Sequence, residues 1–592
     1  MGESATPGAS GPDLQTEPPH GAPASGPVPR SRVGGHRPGE RWRGDIRWPL
    51  LAVLAVQAGL SLRLVWSNTA SEDEALYLWA GHLQWAHWLH GTPIPDFPLY
   101  FSGAPVIYPP LGALADSVGG LAAARVLSLC FMLGATVLLW ATTSRLYGKH
   151  TAFLAASLWA VLGPTQRLAA FATYDAMALF GVALAAWCVT GGRHHRGGTR
   201  WMLAGAGVLV LANATKYASA LFDPTVAGLA ILAGFPPGGK IAWRRGGYLL
   251  ALVVIADIAL LLAARGHYLV GLDQTTLTRP SAGTRVFVVL RSAWDWTGVV
   301  VILAFLAVAL SLRCERRAPA RWLLALLALT ALLAPAAQAL IHTDTSLNKH
   351  VDVGAWFAAI AAGYAADHMA RALRAQSAEL ASVVTGAFLL LVTTIGALQS
   401  AQFFSWPGAA NVLPAARGLT SRGGRFLADD APLFEYYLPG TSWRQWSSVY
   451  SITLPSGWRQ ATSGTAGPYI PLIADHHFKV IILAFTDRPV LDQAIAHYLA
   501  TDHDYRFAGR FRYSNRGATG GFLIWVYRGR ATAPARAAVP AAAGIARHGL
   551  LASPDRRLPG WDRPGHRTLV TTCTTSSTWS GAPSGPAKCP AS

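Results

Sequence analysis

Between residues 48 and 401 the chain keeps returning to apolar runs about as long as a bilayer is thick. A helix needs roughly 20 apolar residues to cross a hydrocarbon core. Runs of this kind fall at about 48–66, 121–143, 151–164, 168–190, 201–214, 217–235, 247–264, 296–312, 321–341, 353–368 and 380–401. The runs at 151–164 and 201–214 are short and fit tilted or re-entrant segments. Only 13% of the residues are charged, about half the share usual in a soluble protein, roughly 25%. The pattern predicts a mainly α fold: a polytopic transmembrane helix bundle of about 11 spans, multi-pass in a cell membrane.

The net charge of +19 does not imply nucleic acid. The basic residues sit in short clusters between the apolar runs, as topology signals do, rather than in one patch. With the N-terminus cytoplasmic, the inward connections carry Arg145 and Lys149; Arg193, Arg196 and Arg200; Lys240, Arg244 and Arg245; Arg313, Arg316, Arg317 and Arg321; and Arg371 and Arg374. The first outward loop, 67–120, holds Glu72, Asp73, Glu74, Asp96 and Asp116 with no Lys or Arg. An odd number of spans leaves the C-terminus extracytoplasmic.

Residues 1–46, rich in Pro, Gly and Ser, read as a disordered cytoplasmic tail. The transmembrane domain covers 47–401. After about residue 402 charges and turn residues become frequent. There "RGGRFLADDAP", "HFKVIILAF", "RPVLDQAIAHYLATD" and "GFLIWVYRGR" read as strand, strand, helix and closing strand. This predicts a C-terminal extracytoplasmic α/β domain over 402–530, followed by a disordered tail, 531–592. Cys130 and Cys188 lie in apolar runs and Cys314 in a basic loop. Only Cys573 and Cys589, in the tail, could pair. Cys and His nowhere take metal-ligand spacing.

The candidates for chemistry cluster on the outward side. Loop 67–120 has about 54 residues, too long for a simple connection. It opens with "SEDEALY" and an aromatic helix carrying Tyr77, Trp79, Trp85 and Trp88 that suits a membrane interface. Its acids suit a helix N-terminus capped by Ser71, and equally a base or a group for sugar hydroxyls or a cation. Asp175, in "FATYDAMALF", is an acid inside an apolar run, which is costly and usually purposeful. Lys216 and Tyr217 lie between two spans on the same side, where snorkelling would also account for the lysine. Outward basic residues at Arg265, Arg279, Arg285, Arg291, Lys349 and His350 point to an anionic group such as a phosphate. His82, His87 and His90 read as interfacial helix residues rather than metal ligands.

In these motifs the chain resembles the polytopic C-type glycosyltransferases, and within them glycosyltransferase family 39, which includes protein O-mannosyltransferases and has the lipid A aminoarabinose transferase as a close relative. The resemblance rests on "DEALY", on G-x-P-x-x-Y-P-P-L at 103–111, on Arg125, on "YDAM", and on "TKY" at 215–217 and "SLNKH" at 346–350. It implies transfer of a sugar, mannose or another hexose or pentose, from a polyprenyl-phosphate donor to a hydroxyl of a protein, lipid or glycan acceptor. It also implies inversion at C1, with Asp73 as general base. Glu74 and Tyr77 would shape its pocket, Asp175 would be a second acid at the membrane edge, and Lys216, Arg279, Arg285, Lys349 and His350 would face the donor phosphate. The chain departs from the aminoarabinose transferase in having Tyr108 where that enzyme has Lys before Pro-Pro, and Leu76 where it has a basic residue. No cofactor is required, although the acids leave room for a divalent cation, Mg or Mn. Two other classes compete: a secondary transporter using Asp175 and Lys216, and an inactive binding or assembly protein of the same fold. Transport does not explain the long acidic loop, and no internal repeat supports it.

Overall fold

The computed structural model describes residues 47–99, 101–191, 198–233, 239–264, 266–277, 283–453, 459–461, 465–515 and 519–529. Both segments expected as disordered tails lie outside the described residues, as do Arg265, Arg279, Cys573 and Cys589.

As far as Gln402 the described chain is built from helices: α1 (Arg47–Val65), α2 (Glu72–His90), α3 (Tyr108–Tyr147), α4 (Lys149–Ala160), α5 (Gly163–Ala169), α6 (Tyr174–Gly191), α7 (Gly198–Thr215), α8 (Asp223–Leu232), α9 (Gly239–Ala264), α10 (Gly266–Leu272), α11 (Val286–Cys314), α12 (Ala318–Thr330), α13 (Leu333–Leu340), α14 (Leu347–Gln376) and α15 (Ala378–Gln402). Among the described residues, six are long and apolar enough to cross a membrane: α1, α3, α6, α9, α11 and α15. The pair α12 and α13, bent by 44°, makes a seventh if counted as one span. The remaining predicted spans fall on α4 with α5, on α7, on the segment around α8 and on α14, which are too short or too polar for that test. α14 is polar for a physical reason. It runs through the bundle interior, with most of its residues buried, and meets protein rather than lipid.

α3 is two helices in series. Gly119 and Gly120 leave helical geometry, Gly120 at φ 66°, so the first part ends and the spanning part begins at residue 121. The span predicted at 121–143 starts at this break.

The helical core centres on Trp159, Trp356, Phe357 and the alanine-rich face of α14, packed against α3, α6 and α11. Small residues let helices approach closely, the main resource for packing where lipid removes the hydrophobic driving force. Gly81 shows how tight this becomes. A Cβ there would stand 2.0 Å from the Pro109 carbonyl oxygen, so α2 can lie against the start of α3 only with glycine at that point.

Beyond α15 follow α16 (Leu413–Thr420), β1 (Phe426–Ala428), α17 (Ala431–Tyr437), β2 (Trp446–Ser448), β3 (Ser451–Thr453), β4 (Arg459–Ala461), α18 (Tyr469–Ala474), β5 (Val480–Leu483), α19 (Pro489–Thr501), β6 (Tyr505–Arg512) and β7 (Gly521–Tyr527). The main sheet has the order β2-β1-β5-β7-β6. β2, β1 and β5 run parallel, with Phe426 opposite Trp446 and Val480, while β7 and β6 are antiparallel. β1 and β5 are buried on both faces and so read as unbroken apolar runs. One face packs Phe426, Ala428, Val480 and Ile482 toward α17 and toward Ala70 and Ala75 at the start of α2. The other packs Leu427, Ile481 and Leu483 against α18 and α19. The four elements expected from the sequence are β1, β5, α19 and β7. β2, β6 and the β3–β4 hairpin are additional.

Four aspartates gather where β1 and β5 end. Burial pushes Asp429 and Asp430 well above the usual carboxylate range. Burial, with Asp429 nearby, raises Asp487 to about 7. Burial likewise raises Asp492 to about 7, with Asp487 adding to the shift. The folded chain therefore holds protons that the unfolded chain has already released above its ordinary value of 3.8. Their stabilisation is complete at lower pH and is lost as pH rises through about 7. Hydrogen-exchange protection of residues 480–501 should accordingly fall from pH 5 to 8, and Asp492→Asn should flatten that dependence. Equal pH slopes in both proteins would contradict the assignment.

Candidate active site

The acids of "SEDEALY" divide between two tasks. Ser71 caps α2, accepting from the Glu74 amide at 3.3 Å, while the Glu74 carboxylate accepts from the Ser71 amide at 3.1 Å. Glu74 is also locked from the side. Arg125 Nε donates to its Oε1 and Nη2 to its Oε2, both at 2.7 Å, and the Ala172 amide donates to Oε1 at 2.8 Å. Both side chains of the pair are 0% exposed. Arg125 spends its remaining donors on the carbonyls of Val65, Asn68 and Thr69. This pair thus fastens the link between α1 and α2 to α3. Glu74 does not line the cavity described next.

Asp73, one residue earlier, turns the other way. Its Oδ2 accepts from Lys349 Nζ at the start of α14. Lys349 also stands 4.0 Å from Asp175 Oδ2, and Asp175 Oδ1 accepts from Lys216 Nζ. The result is an alternating chain, Asp73–Lys349–Asp175–Lys216, drawn from α2, α14, α6 and the end of α7. The chain lines a cavity of about 440 Å³, which His350, Tyr77, Tyr174 and Ser102 also line. Its lining also includes the apolar Ala178, Leu221, Phe222, Ala334, Ala337, Ile341 and Val353, together with Ser219, Thr275, Thr276, Gln338, Thr343, Thr345 and Ser346.

Backbone geometry holds each member. The extended segment before Tyr108 pairs with the end of α7: the Ala104 amide donates to Ala214 O at 2.7 Å and the Tyr217 amide to Ser102 O at 2.9 Å. A Cβ on Gly103 would stand 2.1 Å from the Thr215 carbonyl oxygen. The glycine that opens the 103–111 motif is thus what lets that loop reach Lys216. On the other side, a tight turn leads from α13 into α14, with His342 and Ser346 in the left-handed region at φ 51° and 60°. Gln338 donates to Thr345 O at 2.7 Å and steadies this turn, which delivers Lys349 and His350 to the cavity.

Aromatic rings form the wall. Tyr77 stacks on Tyr174 at 4.6 Å between centroids and meets Phe101 at 5.0 Å. Burial, with Tyr174, Asp73 and Asp175 nearby, pushes the Tyr77 phenol well above its ordinary range, so it stays a neutral donor. Lys216 Nζ lies 5.6 Å from the Tyr174 ring centroid and Lys349 Nζ 5.0 Å from that of Phe171. Arg167, in α5, does not itself line the cavity. It is buried between the Phe171 and Phe403 rings and donates to Phe403 O at 3.2 Å.

Of the residues expected from the sequence, Asp73, Tyr77, Asp175, Lys216, Lys349 and His350 converge on this cavity. Arg285 is exposed at the start of α11 and does not line it, and Arg279 lies outside the described residues. Arg167 was not anticipated. It occurs in "GPTQRLAAF", between the third and fourth apolar runs, an outward connection where the charge rule expects no arginine; that breach is the signal that could have marked it. A divalent cation fits this donor set poorly. Asp73 and Asp175 are each already matched by a lysine, and among the described residues no group of three or more His, Cys, Asp or Glu is arranged to hold a metal ion.

With this geometry, residues 113–262, from α3 to α9, match the model of the dolichyl-phosphate-mannose-protein mannosyltransferase family. That stretch holds Arg125, Asp175 and Lys216. No curated protein matches the chain in sequence. Among solved structures, ArnT from Cupriavidus metallidurans bound to undecaprenyl phosphate is similar with a TM-score of 0.52 and 13% identity, over 80% of this chain and 97% of that one. The Archaeoglobus fulgidus oligosaccharyltransferase, in a complex with Zn and sulfate, gives 0.50 and 14%, over 79% and 73%. At such identities the likeness speaks for the fold.

Breaking the buried pair should be costly. Glu74→Gln or Arg125→Met leaves one charge buried alone, with an expected loss of about 3–5 kcal/mol. Thermal unfolding in detergent should show both variants melting well below wild type. The double variant Glu74→Gln/Arg125→Met should melt above Arg125→Met alone. Wild-type melting of either single variant would contradict a structural role.

Proposed function

We propose that this chain, a multi-pass membrane protein with the fold of the polytopic C-type glycosyltransferases, moves a sugar from a polyprenyl-phosphate donor to an acceptor hydroxyl on the extracytoplasmic side. One observation carries the reading: two acids and two lysines alternate in the lining of a cavity that also has apolar walls. A lipid-linked phosphate needs that combination, cations for its charge beside a path for its chain. The match to the mannosyltransferase family over 113–262 and the fold shared with ArnT, solved with undecaprenyl phosphate, support it.

In this reaction the acceptor oxygen attacks C1 of the sugar. The C1–O bond to phosphate breaks, the polyprenyl phosphate leaves with the electron pair, and the acceptor proton passes to Asp73. Lys349 and Lys216 meet the negative charge that grows on the phosphate, so the leaving group needs no proton. Lys349 links the two events. As it turns from Asp73 toward the phosphate, it frees the carboxylate to take the proton. Attack from the face opposite the phosphate inverts C1. Mannose is the sugar that the family match favours, and the acceptor is a protein, lipid or glycan hydroxyl. The charge asymmetry of the loops supports a cytoplasmic N-terminus and an extracytoplasmic sheet over 402–530.

Asp73→Asn should cut transfer about 10²-fold or more while keeping its affinity for undecaprenyl phosphate. Mass spectrometry of cell-envelope glycans, lipids and glycoproteins should show a sugar residue lost with the chain and not restored by this variant. Full restoration would remove Asp73 as the base. Lys349→Met and Lys216→Met should each weaken undecaprenyl phosphate binding by about tenfold or more, the worth of a charge-assisted contact. Unchanged titrations in nanodiscs would exclude the lysines from phosphate binding.

A further inference from the structure

A second cleft, of about 770 Å³, opens where the C-terminal part meets α2 and the first half of α3. Its volume lies within the roughly 300–1,000 Å³ usual for small-ligand sites. One aromatic cluster contributes to the lining of both cavities. Tyr77 faces the lysine-bearing cavity and Trp79 the second cleft, and both belong to a cluster with Phe97, Phe101 and Tyr174.

The lining is built rather than incidental. The Asp116 carboxylate, 10% exposed, accepts from the Tyr436 hydroxyl at 2.6 Å and is 2.7 Å from His82 Nε2. α17, α3 and α2 therefore fix one acid between them. Glu435, a second acid, is 2% exposed and also lines the cleft. On the far wall the half-buried Trp443 ring donates through Nε1 to Pro93 O at 3.3 Å, and the exposed Arg444 guanidinium lies 5.1 Å from its centroid.

The composition of this lining names its ligand. Leu83 is the only Leu, Ile or Val among the described residues that form it. A lipid chain would find no path here, in contrast to the first cavity. Sugar rings present apolar C–H faces that stack on aromatic rings, and hydroxyls that both donate and accept. Trp79, Tyr436 and Trp443 offer rings, the carboxylates accept, and the guanidiniums donate. We propose that this cleft binds a glycan, holding the sugar residues of the acceptor beside the transfer site. The proposal rests on the transferase reading and narrows its acceptor class to one that carries carbohydrate.

The test uses the full chain in lipid nanodiscs, with fluorescently labelled mannohexaose, arabinohexaose and maltohexaose as probes and undecaprenyl phosphate titrated in parallel. At least one oligosaccharide should bind, and Trp443→Ala should weaken it about tenfold, as loss of an aromatic contact does. Arg444→Ala, at an exposed side chain that does not threaten folding, should weaken it in the same direction, and neither variant should alter undecaprenyl phosphate affinity. If none of the three probes binds, or if binding ignores both variants, the cleft proposal is overturned even when undecaprenyl phosphate binds. If an oligosaccharide binds through the cleft while undecaprenyl phosphate does not bind at all, the cleft stands and the transferase reading falls.

Discussion

The buried pair of Arg125 and Glu74 is the interaction on which the rest of the site depends. Two opposite charges with no exposure are costly to bring out of water, and only complete hydrogen bonding makes the arrangement tolerable. Here it is complete. The guanidinium meets both carboxylate oxygens and three carbonyls, and the carboxylate also takes two amides. The pair fixes where α1 stops, where α2 starts, and how α2 is rotated. That rotation turns Asp73 toward the lysines and Ala75 toward the sheet.

The same local segment explains why part of the site was legible in the sequence and part was not. Ser71 and the following acids announced a helix start, and Asp175 and Lys349 stood out because charge is rare near apolar runs. Proximity was enough to nominate both Asp73 and Glu74, but it could not divide their tasks, since the division depends on Arg125, 51 residues away in sequence. Arg167 carried a signal that went unused: a basic residue in a short outward connection breaks the charge rule, but its surroundings depend on Phe403, 236 residues away in sequence. In the C-terminal part, β1, β5 and β7 were readable as apolar runs. β6, largely exposed, and β2, a tryptophan followed by two serines, carry no comparable pattern.

The helix count shows the limit of hydropathy from the opposite direction. α14 crosses the middle of the bundle, where neighbouring helices surround it, and it can keep Lys349, Asp352 and Asp367 buried. Hydropathy measures suitability for lipid, and such a helix does not meet lipid on most of its surface. Among the residues that lower its apolar score, Lys349 and His350 line the cavity, while Asp352 accepts from Thr165 and Asp367 from Thr151.

α2 serves as a wall shared by two rooms, with Asp73 and Tyr77 lining one cavity and Trp79 and His82 lining the other. A rigid helix cannot shift one set without shifting the other. Any drift in the pitch of α2 would retune both cavities together, so neither side can evolve wholly on its own. A chimera that exchanges the C-terminal part between relatives would have to bring its own residues 71–83 with it, since that strip of helix is the common alignment edge of both halves.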